Sequence, residues 1–123
     1  MELQMKYYEG SSQLKEAAQI CISNRLFVDR WSFRKWFGKL RIGEPCAYVD
    51  HMVIAYKDGV PVGVMTRSRH DRGDFMASYV RATLRRQGIA TAMLKAIPDV
   101  RNPWAMTGTD RKGTFWKAVD VLV

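Results

Sequence analysis

Cysteine is scarce in this chain, with Cys21 and Cys46 the only two among 123 residues. They form no C-x-x-C pair, and only His51 and His70 stand by to complete a metal shell, so the spacing of a zinc site is missing and no metal is expected. The two thiols are expected to be reduced and not paired in a disulfide. Long apolar runs are absent too. The longest, Met52 to Tyr56, falls far short of the ~20 residues that cross a bilayer. The opening Met1-Glu2-Leu3-Gln4 lacks the basic and apolar regions of a secretory signal. A soluble, cytoplasmic protein with no membrane partner is the expectation. Acidic residues are the third shortage, twelve against twenty Lys and Arg, for a net charge of +8. Such an excess raises the local concentration of polyanions, whether nucleic acid, nucleotides or acidic proteins, and charge alone does not choose among them. The excess either serves such a partner or is a solvated surface.

What is present is enough for a core: 47% of residues are hydrophobic, with four Trp, five Tyr and five Phe. No linker or internal repeat divides the sequence, so residues 1–123 are expected to form a single domain. Alternating Leu3, Met5 and Tyr7 predict a first strand that Gly10 and Ser11 end. Ser12 is placed to cap a helix whose Leu14, Ala17, Ala18, Cys21 and Ile22 make a buried stripe. Asp29 is placed to cap a second, with Phe33, Trp36, Phe37 and Leu40 on its core face. Trp31, Arg34 and Lys35 fall opposite, either as a solvated face or as a grip for an acidic acceptor or a nucleic acid strand. Met52–Tyr56 and Val62–Thr66 read as two strands joined at Asp58-Gly59, a strong hairpin signal. A polar loop, Ser68 to Gly73, then leads to a third strand, Phe75 to Val80.

That strand runs into a turn with chemistry. After Val80 come Arg81-Ala82-Thr83-Leu84-Arg85-Arg86-Gln87-Gly88-Ile89-Ala90, then a helix in which Ile89, Met93, Leu94 and Ile97 form a stripe. The first N–H groups of a helix have no intrahelical partner, and the helix dipole adds partial positive charge there, so phosphate is stabilised at that end. Gly88 and Ala90 keep bulk away, while Arg85 and Arg86 offer charge-assisted bonds. On physics alone this is an anion site.

Residues 80 to 94 resemble the acyl-CoA signature of the GNAT acetyltransferase superfamily, Arg/Gln-x-x-Gly-x-Gly/Ala, with Arg85, Gly88 and Ala90 in its three defining positions. The resemblance extends over nearly the whole chain. It implies an α/β (α+β) fold, a mixed, mostly antiparallel sheet flanked by helices in the order β-α-α-β-β-β-α-β-α-β, shortened at the C-terminus. It also implies acetyl-CoA as acyl donor, with a cofactor-binding set of Tyr79, Val80, Arg81, Arg85, Arg86, Gln87, Gly88, Ile89, Ala90 and Thr91. Pantetheine would lie between strands that splay apart, bonded to the backbone around Tyr79 to Arg81.

Transfer from a thioester to an amine needs a neutral amine, a route for its proton and an acid for the departing thiolate, and it needs no enzyme nucleophile. The resemblance implies a carboxylate on the strand before the motif or on the hairpin. Asp74 and Ser78 share one strand face, while Asp50 and His51 stand at the hairpin's mouth, and His51 has a suitable intrinsic pKa. In the final helix Phe115-Trp116-Lys117 resembles the family's Phe-Tyr-x-Lys segment with Trp116 in the place of the tyrosine that protonates the thiolate. An indole N–H orients sulfur but does not replace that acid. Val121-Leu122-Val123 makes an apolar edge that predicts a homodimer.

Three functions remain open at this point. One is an N-acetyltransferase acting on a primary amine. Another is a nucleic-acid-binding or phage-type DNA-modifying protein, for which Arg67, Arg69, His70 and Arg72 would supply phosphate contacts. The last is a non-catalytic descendant that binds a partner protein, with Trp116 as its mark.

Overall fold

The computed structural model describes residues 2–26, 49–70 and 73–103. Along them run β1 (Gln4–Glu9), α1 (Ser11–Ser23), β2 (His51–Lys57), β3 (Val60–His70), β4 (Gly73–Val80), a 3-10 turn (Ala82–Leu84) and α2 (Ile89–Ala96). The strands form one antiparallel sheet in the order β1-β2-β3-β4. The expected helix after Asp29, the final helix with Trp116 and the edge Val121 to Val123 lie outside the described residues.

Sequence chemistry explains most of these elements. Asp58 and Gly59 both take positive φ, 53° and 77°, the backbone of a tight turn whose twist matches that of the strands it joins. Alternation then sorts side chains to two faces. Met52, Ile54, Val64 and Tyr79 pack with Leu14, Ala17, Ala18 and Cys21 of α1. Val53, Ala55, Met65, Met76 and Val80 pack with Ile89, Met93 and Leu94 of α2. Because β2 is buried on both sides, it reads as an unbroken apolar run in place of an alternating one. At Gly63 of β3 a Cβ would lie 3.2 Å from Met93 Cε and 3.3 Å from Ile89 Cγ2, so the missing side chain lets α2 sit directly on the sheet.

Two expectations need correction. Ser12 does not cap α1. The cap is Gly10, whose φ of 83° turns the chain off β1, and the Leu14 N–H already donates to the Gly10 carbonyl at 2.9 Å. Nor are Ser68 to His70 and Gly73 part of the polar loop expected over Ser68 to Gly73. Ser68, Arg69 and His70 continue β3, opposite Phe75, Asp74 and Gly73, because strand pairing gives their backbone groups partners that a loop would leave to water.

Candidate functional site

β4 carries its backbone to an unusual edge. The Arg81 N–H donates to Val62 O at 2.9 Å, so these two residues face each other as a hydrogen-bonded pair. In an antiparallel ladder bonded and non-bonded pairs alternate, and the register then turns the N–H and C=O of Val80 and Ser78 away from β3. Asp74 has the same orientation, and its N–H donates to Arg101 O at 2.9 Å while the Arg101 N–H returns to Asp74 Oδ2 at 2.7 Å. The chain leaving α2 therefore comes alongside β4 at Asp74. It passes close: a Cβ on Gly73, where φ is 141°, would lie 2.4 Å from Asn102 O.

At the other end of β4 the chain turns into α2. Arg86 takes φ 65° and Gly88 takes φ 82°, and the first helical bond runs from Ala92 N–H to Gly88 O at 3.0 Å. The amides of Gly88, Ile89, Ala90 and Thr91 precede that bond, so none has a partner inside the helix. No side chain caps this end and no acidic residue occupies the first turn, so nothing on the helix competes for its partial positive charge. Space around the Gly88 Cα is open, and backbone conformation is what calls for glycine there. Ile89 gives its side chain to the core, leaving only its N–H to the turn. Arg85, Arg86 and Gln87 are exposed.

The arginines divide in a way the sequence does not announce. Arg81, expected among the coenzyme contacts, donates Nε to Pro61 O at 3.0 Å and Nη2 to Asn24 O at 2.9 Å, tying the end of β4 to the hairpin and the end of α1. Arg85 folds back on β4, its Nε 2.9 Å from Val80 O and its guanidinium 5.3 Å from the centre of the Tyr79 ring. Arg67 is buried, with Nη1 donating to Pro98 O and Nε unpartnered. Arg69 holds Asp74 and Asp99. Arg67 and Arg69 are thus engaged within the protein and do not form the free basic loop expected of a phosphate-gripping surface; Arg72 lies outside the described residues.

The acid and base candidates are not brought together. Asp74 is fully buried and accepts from Arg69 Nε at 2.9 Å, Arg69 Nη2 at 3.2 Å and the Arg101 N–H. Burial works against its charge, yet those bonds together hold its carboxyl below the ordinary carboxylate range. A buried carboxylate so engaged is a structural anchor and a weak proton acceptor, against its expected role as a base. Ser78 stands on the same face, four residues on and about 13 Å away along the strand. Asp50 accepts the Arg69 backbone N–H at 2.6 Å. His51 lies on β2, two strands from β4.

His51 has partners that sequence reading missed, Tyr7 and Glu9 of β1. Its ring stacks on Tyr7 with centroids 5.4 Å apart, and Nδ1 meets the Tyr7 hydroxyl, which lies 3.2 Å from Glu9 Oε2. A hydroxyl has one proton. That proton goes to Glu9 or to Nδ1, and in the neutral imidazole the tautomer decides which. Burial, then the Arg67 charge, push the His51 pKa down and favour that neutral ring. The only available signal was the i, i+2 spacing of Tyr7 and Glu9 on a predicted strand. Trp116 lies outside the described residues.

Comparison with known proteins gives this geometry its family. The chain is similar over 97% of its length to a GNAT family acetyltransferase of Streptococcus pneumoniae, with 13% identity, 86% of that chain covered and a TM-score of 0.60. It is similar to the ribosomal-protein-alanine N-acetyltransferase of Brucella melitensis, with 16% identity, 96% and 90% covered and a TM-score of 0.58. An aminoglycoside N-acetyltransferase in complex with CoA matches at 16% identity, 97% and 86% covered and a TM-score of 0.56. At these identities the likeness is one of fold. No curated protein matches by sequence. The family model described as Acetyltransferase (GNAT) family matches residues 11–100, from the start of α1 through α2 and the turn before it. The chain belongs to the GNAT family of acetyltransferases.

Proposed function

We propose that the chain transfers the acetyl group of acetyl-CoA to a primary amine, by direct attack of the amine on the thioester in a ternary complex. Acetyl-CoA is the donor substrate, and its thioester supplies the activated acyl carbon. The observation that carries this reading is the uncapped start of α2, with no acid in its first turn, at the end of a strand whose Val80 and Ser78 backbone groups face away from the sheet. The amides from Gly88 to Thr91 hold the pyrophosphate, with Arg86 and Gln87 alongside. The pantetheine arm follows the outer edge of β4. The CoA bound to the similar aminoglycoside N-acetyltransferase supports the choice of donor.

No enzyme nucleophile is needed. Burial pushes the Cys21 thiol well above its usual range, which makes it a poor one in any case. Attack forms the C–N bond and breaks the C–S bond; the amine proton leaves through water, since Asp74 is already held by three N–H donors, and the departing CoA thiolate takes a proton from water. The acceptor is an amine on a small molecule, a peptide or a protein. Among similar structures the names include an aminoglycoside N-acetyltransferase and a ribosomal-protein-alanine N-acetyltransferase, which supports a small-molecule or a protein amine.

Calorimetric titration with acetyl-CoA, CoA and ATP at two salt concentrations tests the reading. Saturable binding that prefers acetyl-CoA and persists at the higher salt is the expected result. Absence of acetyl-CoA binding would remove the donor and, with it, the proposed activity.

A further inference from the structure

The outward carbonyl of Val80 is covered by the protein itself. Arg85 reaches back from the turn, donates Nε to that oxygen at 2.9 Å and lays its guanidinium across the Tyr79 ring at 5.3 Å. Val80 faces away from β3, whereas Tyr79 packs with α1 on one face of the sheet. Among the described residues β4 is an edge strand there, and the guanidinium lies on it against a carbonyl that an amide-bearing arm would use. Arg85 is also exposed and only three residues before the uncapped start of α2, so a phosphate held by those amides comes within reach of its side chain.

We propose that Arg85 determines donor specificity as a latch: it closes the β4 edge in the free protein, and a donor opens that edge only by bringing a pyrophosphate that draws the guanidinium away. This inference rests on the acetyl-CoA reading above. Its physical basis is an exchange of partners. A guanidinium bond to a neutral carbonyl and a cation–π contact are given up for guanidinium–phosphate bonds in which both partners are charged, which are stronger. A thioester without phosphates has no such exchange to offer and must compete with the latch for Val80. The enzyme thereby rejects free pantetheine thioesters that present the same acetyl group.

The test compares three ligands on wild type, Arg85→Met and Arg85→Gln by NMR titration and calorimetry: S-acetylpantetheine, ADP and acetyl-CoA. Methionine removes both donor and charge, whereas glutamine keeps an N–H donor without the charge. Expected is that R85M binds S-acetylpantetheine about threefold to tenfold more tightly than wild type and ADP weaker by a similar factor. R85Q should lose the ADP contact to the same degree while still excluding S-acetylpantetheine. Opposite signs for the two ligand halves are what a plain phosphate ligand or a plain structural support would not produce. Unchanged or weaker S-acetylpantetheine binding by R85M, with acetyl-CoA still bound by wild type, overturns the latch alone. No acetyl-CoA binding by wild type overturns the latch and the donor assignment together.

Discussion

Arg69 grips Asp74 with two nitrogens, Nε to Oδ1 at 2.9 Å and Nη2 to Oδ2 at 3.2 Å. The two residues oppose each other across β3 and β4, and the same carboxylate receives the Arg101 N–H from the chain that leaves α2. Arg69 also reaches Asp99, which pairs with Arg101. The network sets where that chain meets β4.

Replacing Asp74 with Asn should therefore be costly. The variant leaves Arg69 without its fork on the buried side, and since Arg69 is itself 37% exposed the loss is set at about 2 kcal/mol, below that of a fully buried pair. Chemical denaturation measures it. Because the Asp74 carboxyl titrates below its ordinary value, its contribution is fully present above about pH 4 and fades as pH falls through the folded pKa. Asp74→Asn should lack that acid-dependent loss, and an unchanged denaturation midpoint at neutral pH would show that the network does not stabilise the fold.

Gly88 should separate fold from binding. Alanine there meets no neighbour but must adopt φ 82°, which costs about 1 kcal/mol. Glutamate adds a negative charge at the start of α2, and Gly88→Glu should abolish acetyl-CoA binding while the far-ultraviolet spectrum stays native. Wild-type affinity in Gly88→Glu would place the anion site elsewhere.

Gly63 governs how closely α2 approaches the sheet. A Cβ would meet the flexible ends of Met93 and Ile89 and, at 3.3 Å, the fixed Tyr79 carbonyl oxygen. Gly63→Ala should cost about 1 kcal/mol and Gly63→Val about 3 kcal/mol. Ile89 carries the start of α2, so the valine variant should also weaken acetyl-CoA binding, which titration on the folded fraction would detect.

His51 gives a second pH signature. Its pKa is depressed below the ordinary imidazole value of 6.5, chiefly by burial and then by Arg67, with Arg69 adding to the effect and Glu9 and Asp50 opposing it. The unfolded chain thus binds the proton first as pH falls. Stability should be full above about pH 6.5 and decline as pH drops from there through the folded pKa. His51→Gln should flatten that segment of the profile, measured as denaturation midpoint from pH 7.5 to 5. An imidazole titration at or above 6.5 by NMR would contradict the packing described.

Local chemistry made much of the fold legible. Leu14, Ala17, Ala18 and Cys21 of the α1 stripe are buried as its spacing predicts while Ile22 is half-buried, and Ile89, Met93 and Leu94 of α2 are buried too. The hairpin turns at Asp58-Gly59, and the glycine before α2 occupies the left-handed backbone that a strand-to-helix turn requires. Errors arose where one local preference competed with another. Ser12 is a good cap, but Gly10 turns the chain first. Ser68, Arg69 and His70 look like a loop, but β4 pairs with them.

What the sequence by itself determined, then, was the strands and helices among the described residues and the position of the turn before α2, because periodicity and turn chemistry act over a few residues. The tertiary structure decided what each charged side chain does. Arg67 binds a carbonyl thirty-one positions away, Arg81 one fifty-seven away, and Asp74 takes a backbone N–H from twenty-seven residues on. Ion pairs and buried hydrogen bonds are fixed by proximity in space, so five arginines that look alike in sequence became two structural ties, Arg67 and Arg81, one clamp, Arg69, one cover over Val80, Arg85, and one exposed charge beside the helix, Arg86.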